Sequence, residues 1–299
     1  MRSPRRLCVL LVTGVLVGVL APASAAAAPT AAPAQPTTPT LVGIRAAHHP
    51  TFDRIVFDFR GGLPTAEVAY VSELIGDGSG LPVPIAGRAI LQARFEPADA
   101  HDDSGTPTAP DRVAFALPNI MTTVRSGDFE AVTTYGIGLA RREAVTVSTL
   151  TDPDRVVIDV GAAFRTVQHE VFFFDEDRFV ANQPPFYVAV SRPVLPQTPA
   201  TGVLDRLFAG PTTAEQAAGL TLLSSGATGF TGLGIRDQVA RVQLTGGCSS
   251  GGSTETIAGE IFPTLKQFDS VDVVKILDPE GRTGTPDGLS DSIPECLEP

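Results

Sequence analysis

The chain has 299 residues, 43% of them hydrophobic, and a formal net charge of −11. That is enough length and apolar content for two ordinary domains. The acidic balance argues against nucleic acid, whose phosphates need clustered cations, and against docking on anionic lipid, but leaves sugars, peptides and protein partners open.

Arg2 to Arg6 is a short basic stretch, Leu7 to Leu20 an apolar run, and Ala23-Ser24-Ala25 a small-x-small cleavage site. This order predicts a secretory signal peptide over residues 1–25. The run is shorter than the ~20 residues a membrane span needs, so no span is expected after cleavage; an uncleaved anchor is the competing reading. Cys8 opens the apolar run instead of closing it, which argues against lipidation there. Residues 26–40 are Ala, Pro, Thr and one Gln, a composition that builds no apolar face. They read as a linker: either a tail left by processing or a spacer of roughly 45 Å through wall polymer, at the rise of an extended proline-rich chain.

Residues 41–162 read as a first domain. Asp53-Arg54-Ile55-Val56-Phe57-Asp58-Phe59 near its start and Asp154-Arg155-Val156-Val157-Ile158-Asp159-Val160 near its end nearly repeat one another. Each starts at a turn-forming Asp and continues in β-branched or aromatic residues, with Arg and Asp partly on one face. Strand-like runs fill the interval at 67–74, 88–95, 112–117, 129–139 and 144–150, punctuated by Gly and Pro. Short strands with frequent turn signals predict an all-β sandwich. The paired Asp-Arg-hydrophobic-Asp strands resemble those of AMIN-like domains of secreted bacterial proteins. That resemblance implies targeting to the envelope through cell-wall material (peptidoglycan). Arg54, Asp58, Arg155 and Asp159 are therefore candidates for a binding surface, against the plainer reading of cross-strand charge pairing. Loop 96–111 carries Asp99, His101, Asp102 and Asp103, without the spacing of a calcium loop, and reads as solvated; no metal is expected. His48 and His49, beside Pro50, read as surface residues.

Residues 168–298 read as a second domain. Strands are expected at 171–174 and 186–194. Thr198 and Pro199 then open a helix with Val203, Leu204, Leu207 and Phe208 on one face. Gly210 in a left-handed conformation and Pro211 close it. Thr212 and Glu215 form a capping box for a second short helix ending at Gly219. Strands at 228–235 and 239–244, a helix over 253–268 that Pro263 kinks or restarts, and a strand at 271–277 complete the order. The expected architecture is α+β, a small mixed sheet with helices on one face.

Leu204-x-x-Leu207-x-x-Gly210-Pro211-Thr212-x-x-Glu215-x-x-x-Gly219-Leu220 resembles the central signature of the sporulation and spore-germination (GerMN) domain family. Arg192, the run Thr264-Leu265-x-Gln267-Phe268-x-Ser270-Val271, Val273-Val274-x-Ile276 and Gly281 also match. Gln216 stands where the family often has a second acid, and Ser224-Ser225-Gly226 where it often has a Pro before the glycine turn. The resemblance implies an exported assembly module without known catalysis, and adds Arg192 to the candidate binding residues.

Cys248 and Cys296 are the two cysteines downstream of the leader and, in an exported protein, read as a disulfide worth about 4 kcal/mol on the chain-entropy argument. A redox pair is the competing reading. Gly247-Cys248-Ser249-Ser250-Gly251 fits G-x-S-x-G, but no His follows His169, so a hydrolase of that chain order is incomplete.

These readings converge on a secreted, cell-wall-associated, non-enzymatic protein without cofactor. It has an AMIN-like β-sandwich that targets wall polymer and a GerMN-like α+β domain that assembles with envelope proteins. Competing readings are a secreted hydrolase with paired carboxylates in a cleft, and a small-ligand binding module.

Overall fold

The computed structural model describes residues 38–299, so the expected signal peptide and nearly all of the 26–40 linker lie outside the described residues. Nine strands come first: β1 (Thr40–His49), β2 (Phe52–Arg60), β3 (Thr65–Val71), β4 (Ala89–Glu96), β5 (Arg112–Ala114), β6 (Ile120–Phe129), β7 (Val132–Leu139), β8 (Val145–Leu150) and β9 (Arg155–Gly161). They form two antiparallel sheets, ordered β1-β2-β9-β8 and β3-β4-β7-β6-β5. The near-repeat segments are β2 and β9, paired side by side. Alternation places Ile55, Phe57 and Phe59 with Val156, Ile158 and Val160 on the buried face, all at most 4% exposed. Phe57 bridges the two sheets, 4.8 Å from the Phe95 ring and 5.7 Å from Tyr135. This half is a β-sandwich with its own core.

Two strands escape the sequence reading. One is β6, which bulges at Ser126-Gly127-Asp128, marked by a register shift between Arg125 and Gly127. A Cβ at Gly127 would collide with the Asp77 carboxylate, which accepts a hydrogen bond from Thr134 Oγ1 at 2.7 Å. The other is β1, the edge strand that begins at the end of the expected linker. Asp53 is not a turn residue. It is fully buried within β2 and accepts from the backbone N–H of Asn119 (2.6 Å) and Ile120 (2.9 Å), tying the two sheets together.

The second half contains β10 (Val167–Asp175), α1 (Glu176–Val180), β11 (Tyr187–Val194), α2 (Pro199–Ala209), α3 (Thr213–Ala217), β12 (Leu220–Thr221), β13 (Ala227–Arg236), β14 (Val239–Gly246), α4 (Ile257–Lys266) and β15 (Val273–Leu277). The β13-β14-β15 sheet is mixed, because β14 and β15 run parallel. The helical hairpin stands where its signals place it. Thr212 and Glu215 form a complete capping box, and Val203, Leu204, Leu207 and Phe208 are all in the core. Two details differ. The Thr198 side chain makes no capping bond, and Gly210 closes the helix at φ 92°, ψ 176°, with positive φ but extended ψ. α4 starts four residues later than expected, at Ile257, and continues through Pro263.

The larger difference is that this half holds two three-stranded sheets, with β11-β10-β12 separate from β13-β14-β15. A polar stripe on α4 explains the split. Glu260 accepts from Phe174 N–H (3.1 Å), Thr264 from Phe172 N–H (3.1 Å) and Gln267 from Glu170 N–H (2.9 Å). Residues 260, 264 and 267 share one helical face, and residues 170, 172 and 174 share one edge of β10. Backbone donors must find partners. Here helix side chains satisfy them, so along that edge only the two-residue β12 pairs, at Phe174 and Asp175, and the other sheet stays separate.

The tail is pinned. Cys248 and Cys296 form a disulfide with Cα atoms 5.6 Å apart. Buried Lys275 donates to the carbonyls of Thr285 (2.6 Å) and Asp287 (3.2 Å). Cys248→Ser with Cys296→Ser is expected to lower unfolding stability by about 3 kcal/mol, measured by denaturant titration of parent and variant. A change below ~1 kcal/mol would show that the lysine anchor suffices.

Candidate functional site

Three places can be tested against the sequence reading: the outer face of the β1-β2-β9-β8 sheet, the loop over 96–111, and the seam between the two halves. Residues 38–299 fall in one compact unit, so the seam is a packed contact.

On the sheet face, register sets Arg54 opposite Asp159 and Asp58 opposite Arg155. The first pair is bidentate, at 2.7 and 2.8 Å. The second does not form. Asp58 instead accepts from Arg45 on β1, at 2.9 and 3.0 Å, while Arg155 turns to the Pro153 carbonyl at 3.0 Å. Most charge on this face is thus satisfied within the sheet. Arg192 is not on any surface. It is 2% exposed and forks onto Glu215, whose carboxylate also takes the Thr212 N–H at 2.8 Å. Burial pushes the Glu215 pKa up, but the Arg192 and Thr212 hydrogen bonds bring it below its ordinary value. Arg192 therefore anchors α3 to β11 and leaves the set of binding candidates.

In the loop, Asp99, His101 and Asp128 bring three possible ligand atoms within 4.8 Å of one another. Asp128 is already saturated. It accepts from Ala100 N–H (2.8 Å), Thr133 Oγ1 (3.0 Å), His101 Nδ1 (2.8 Å) and Arg125 (3.2 Å). The Asp128 hydrogen bond raises the His101 pKa, favouring imidazolium. A cation would have to displace both positive groups. Asp102 caps its own turn through Ser104 and Thr106, and His48 is held by Asp53 at 2.7 Å.

In the Gly247–Gly251 segment, Ser249 accepts from Gly251 N–H at 3.1 Å and Ser250 donates to the Glu298 carbonyl at 2.6 Å. The imidazoles of His48, His101 and His169 bond to Asp53, Asp128 and Gln267.

The seam holds what the sequence reading missed. Every residue of α2 from Val203 to Ala209 is buried, including Asp205 and Arg206. The helix has two packed faces: one on its own core, the other on the β-sandwich. Arg206 reaches across and donates to the carbonyls of Phe115 (3.2 Å), Leu117 and Pro118 (3.1 Å). Burial lowers its pKa to about 9. Asp205 pairs with Arg88 at 2.7 Å; burial raises its pKa to about 6 against the pull of that guanidinium. Arg88 also lies 5.3 Å over the Phe230 ring. Nothing local marks Asp205 and Arg206, because an amphipathic helix ordinarily turns such residues to solvent.

Two clefts flank α2 along the seam. One, of about 360 Å³, is lined by Arg88, Asp205 and Arg206 with apolar neighbours; its charges are bonded to protein partners. The other, of about 410 Å³, opens between Val83, Pro84 and Arg112 of the sandwich and Phe208, Thr221 and Thr228 of the second half.

Residues 39–162 match the family model of the AMIN-like domain, and residues 170–284 match that of the sporulation and spore germination domain. No curated protein and no solved structure matches the chain.

Proposed function

We propose that this chain, which carries an AMIN-like domain followed by a sporulation and spore germination domain, is an exported cell-envelope protein that binds wall polymer without cutting it. In this reading the second domain offers its surface to envelope protein partners. The combination of these two domains in one packed unit is the observation that carries the reading. AMIN-like domains are generally associated with peptidoglycan binding. The disulfide suits an oxidising compartment outside the cytoplasm. Among the described residues, no helix is long and apolar enough to cross a membrane.

The non-lytic part rests on two features. Asp128, whose carboxylate comes within 4.8 Å of that of Asp99, has its oxygens fully engaged. Ser249 has no hydrogen bond to an imidazole among the described residues.

The test is co-sedimentation of residues 26–299 with purified insoluble cell wall, with released fragments assayed in the same tubes. Pelleting without soluble muropeptides is the expected result. Fragment release overturns the non-lytic part, and absence of pelleting overturns wall binding. Arg54→Ala is expected to leave pelleting unchanged and to cost under ~1 kcal/mol, since its partly exposed pair is already satisfied internally. Lost pelleting in a folded Arg54→Ala variant would place the wall contact on that sheet face.

A further inference from the structure

A sheet edge presents a row of backbone donors and acceptors, and proteins blunt such edges with charge, proline, bulges, short length or a covering segment. The other edge strands of this molecule carry one of these devices. β1 bulges between Leu41 and Gly43 and bears Arg45. β5 and β12 span only three and two residues. β11 contains Arg192 and Pro193, and β13 shifts register twice. β15 is covered by the tail: Ile276 N–H donates to the Ser292 carbonyl, and Ser292 N–H to the Val274 carbonyl. β3 carries Glu67, and its Tyr70 lies under Arg142 and donates to the Glu143 carbonyl at 2.7 Å. β8, Val-Thr-Val-Ser-Thr-Leu, has no charge and no proline. It ends the β1-β2-β9-β8 sheet and pairs with β9 in unbroken register. Its Val147 is 39% exposed and its Leu150 43%.

Register fixes which of its backbone groups face outward. Gly161 N–H donates to the Ala144 carbonyl at 2.9 Å, so these two residues form a hydrogen-bonded pair. In an antiparallel ladder such pairs recur at every second residue. Thr146, Ser148 and Leu150 thus spend their backbone groups on Asp159, Val157 and Arg155 of β9. Val145, Val147 and Thr149 point theirs away from β9, where no strand pairs among the described residues.

The residues in and around β8 are complementary to themselves. Set two copies antiparallel about a two-fold axis at Val147. Val147 then meets its own copy, Val145 meets Thr149, and Thr146 meets Ser148. β-Branched pairs and Thr–Ser hydroxyl pairs are favourable across strands. Carried past the strand ends, the same register brings Arg142 opposite Asp152. Both are exposed, and neither forms an ion pair among the described residues. Two copies of a chain of net charge −11 repel one another over most of their surfaces. At this edge they meet through an uncharged strand with opposite charges matched at each end.

We propose that β8 binds a second copy of the chain, pairing antiparallel with its own copy about a two-fold axis at Val147 and joining two four-stranded sheets into one. The pairing is closed, because it uses the same edge on both copies. The joined sheet then ends on both sides in the blunted β1.

Sedimentation equilibrium of residues 26–299 over a hundredfold concentration range tests this, with a monomer–dimer equilibrium and no larger species expected. Thr149→Pro removes an N–H that faces the open edge and none that β9 uses. It is expected to weaken the dimer at least tenfold while thermal midpoint and circular dichroism stay as in the parent. Val147→Lys sets two cations against each other at the axis and should do the same. Val147→Cys is expected to give a disulfide-linked dimer on mild oxidation, since Cα atoms of a hydrogen-bonded antiparallel pair lie about 5.5 Å apart, within disulfide reach. Leu150→Cys is not, because its two copies stand roughly 20 Å apart in this register. A monomer at every concentration overturns the proposal, as do open-ended polymers of the parent. So does a dimer that folded Thr149→Pro and Val147→Lys leave unchanged, or cross-linking by Leu150→Cys in place of Val147→Cys.

Discussion

Arg206→Met is expected to lower unfolding stability by about 4 kcal/mol. The methionine keeps most of the apolar stem but removes every donor. Three carbonyls of the sandwich, those of Phe115, Leu117 and Pro118, lose their shared partner at a position where Arg206 is 1% exposed. Leaving buried polar groups unsatisfied costs about 1–3 kcal/mol each, and partial rehydration at the rim of the seam trims the sum. For a unit of this size, that loss is a fall of roughly 10 °C in thermal midpoint. Arg206→Lys keeps a charge, but its three N–H donors sit on one nitrogen and lack the span of the guanidinium fork, so it should recover less than half. Calorimetry on parent and both variants checks this. A fall below ~3 °C for Arg206→Met would mean that the three carbonyl bonds of Arg206 contribute little to holding the domains together. Because Arg206 belongs to the second domain and its acceptors to the first, the same variant tests whether the domains stabilise one another.

The second large effect is pH-dependent and centres on Glu260. This side chain is 0% exposed and takes the N–H groups of Phe174 and Leu223, with no cation paired to it among the described residues. Burial pushes its carboxyl from 4.5 up to about 8, against the two backbone hydrogen bonds. A raised folded-state value means that the folded protein keeps this proton after the unfolded chain has lost it. The stability tied to this group is therefore fully present below pH 4.5, declines as pH rises, and is lost above pH 8. The gap corresponds to about 5 kcal/mol. Glu260→Gln preserves an acceptor oxygen for both N–H groups and cannot ionise. The stability of the variant relative to the parent is expected to rise by several kcal/mol between pH 5 and pH 8.5. Urea titrations across that range measure it, and a difference that stays flat with pH sinks the argument. Glu260→Ala should instead be destabilised at every pH, since it strands the Phe174 N–H of β10 and the Leu223 N–H.

Much of the fold was legible because it depends on neighbours a few positions away. The alternation Ile55-Phe57-Phe59 assigns a buried face without reference to anything distant, and it occurs in the structure as read. So does the Thr212–Glu215 capping box, which closes within one turn. Strand β6 was not assigned from the sequence, for a related reason. Ser-Gly-Asp carries turn chemistry, and only the Asp77 carboxylate, brought from another part of the chain, shows why Gly127 stands inside a strand.

What the sequence by itself determined, then, was most of the elements, the two domain types and the cysteine pair. What the tertiary structure alone decided was the identity of partners. Arg192 joined the binding candidates through the family resemblance, with no acid near it in sequence; Glu215 meets it only after β11 and α3 pack. Asp58 sits across from Arg155 in register, yet bonds to Arg45. Arg88 and Asp205 are 117 positions apart, and Glu260 and Phe174 are 86 apart. A buried charge or strand edge must be satisfied by something, and that need can be read from residue type. Which group satisfies it depends on where the backbone path carries the other half of the pair. At the seam it carried Arg206 to three carbonyls.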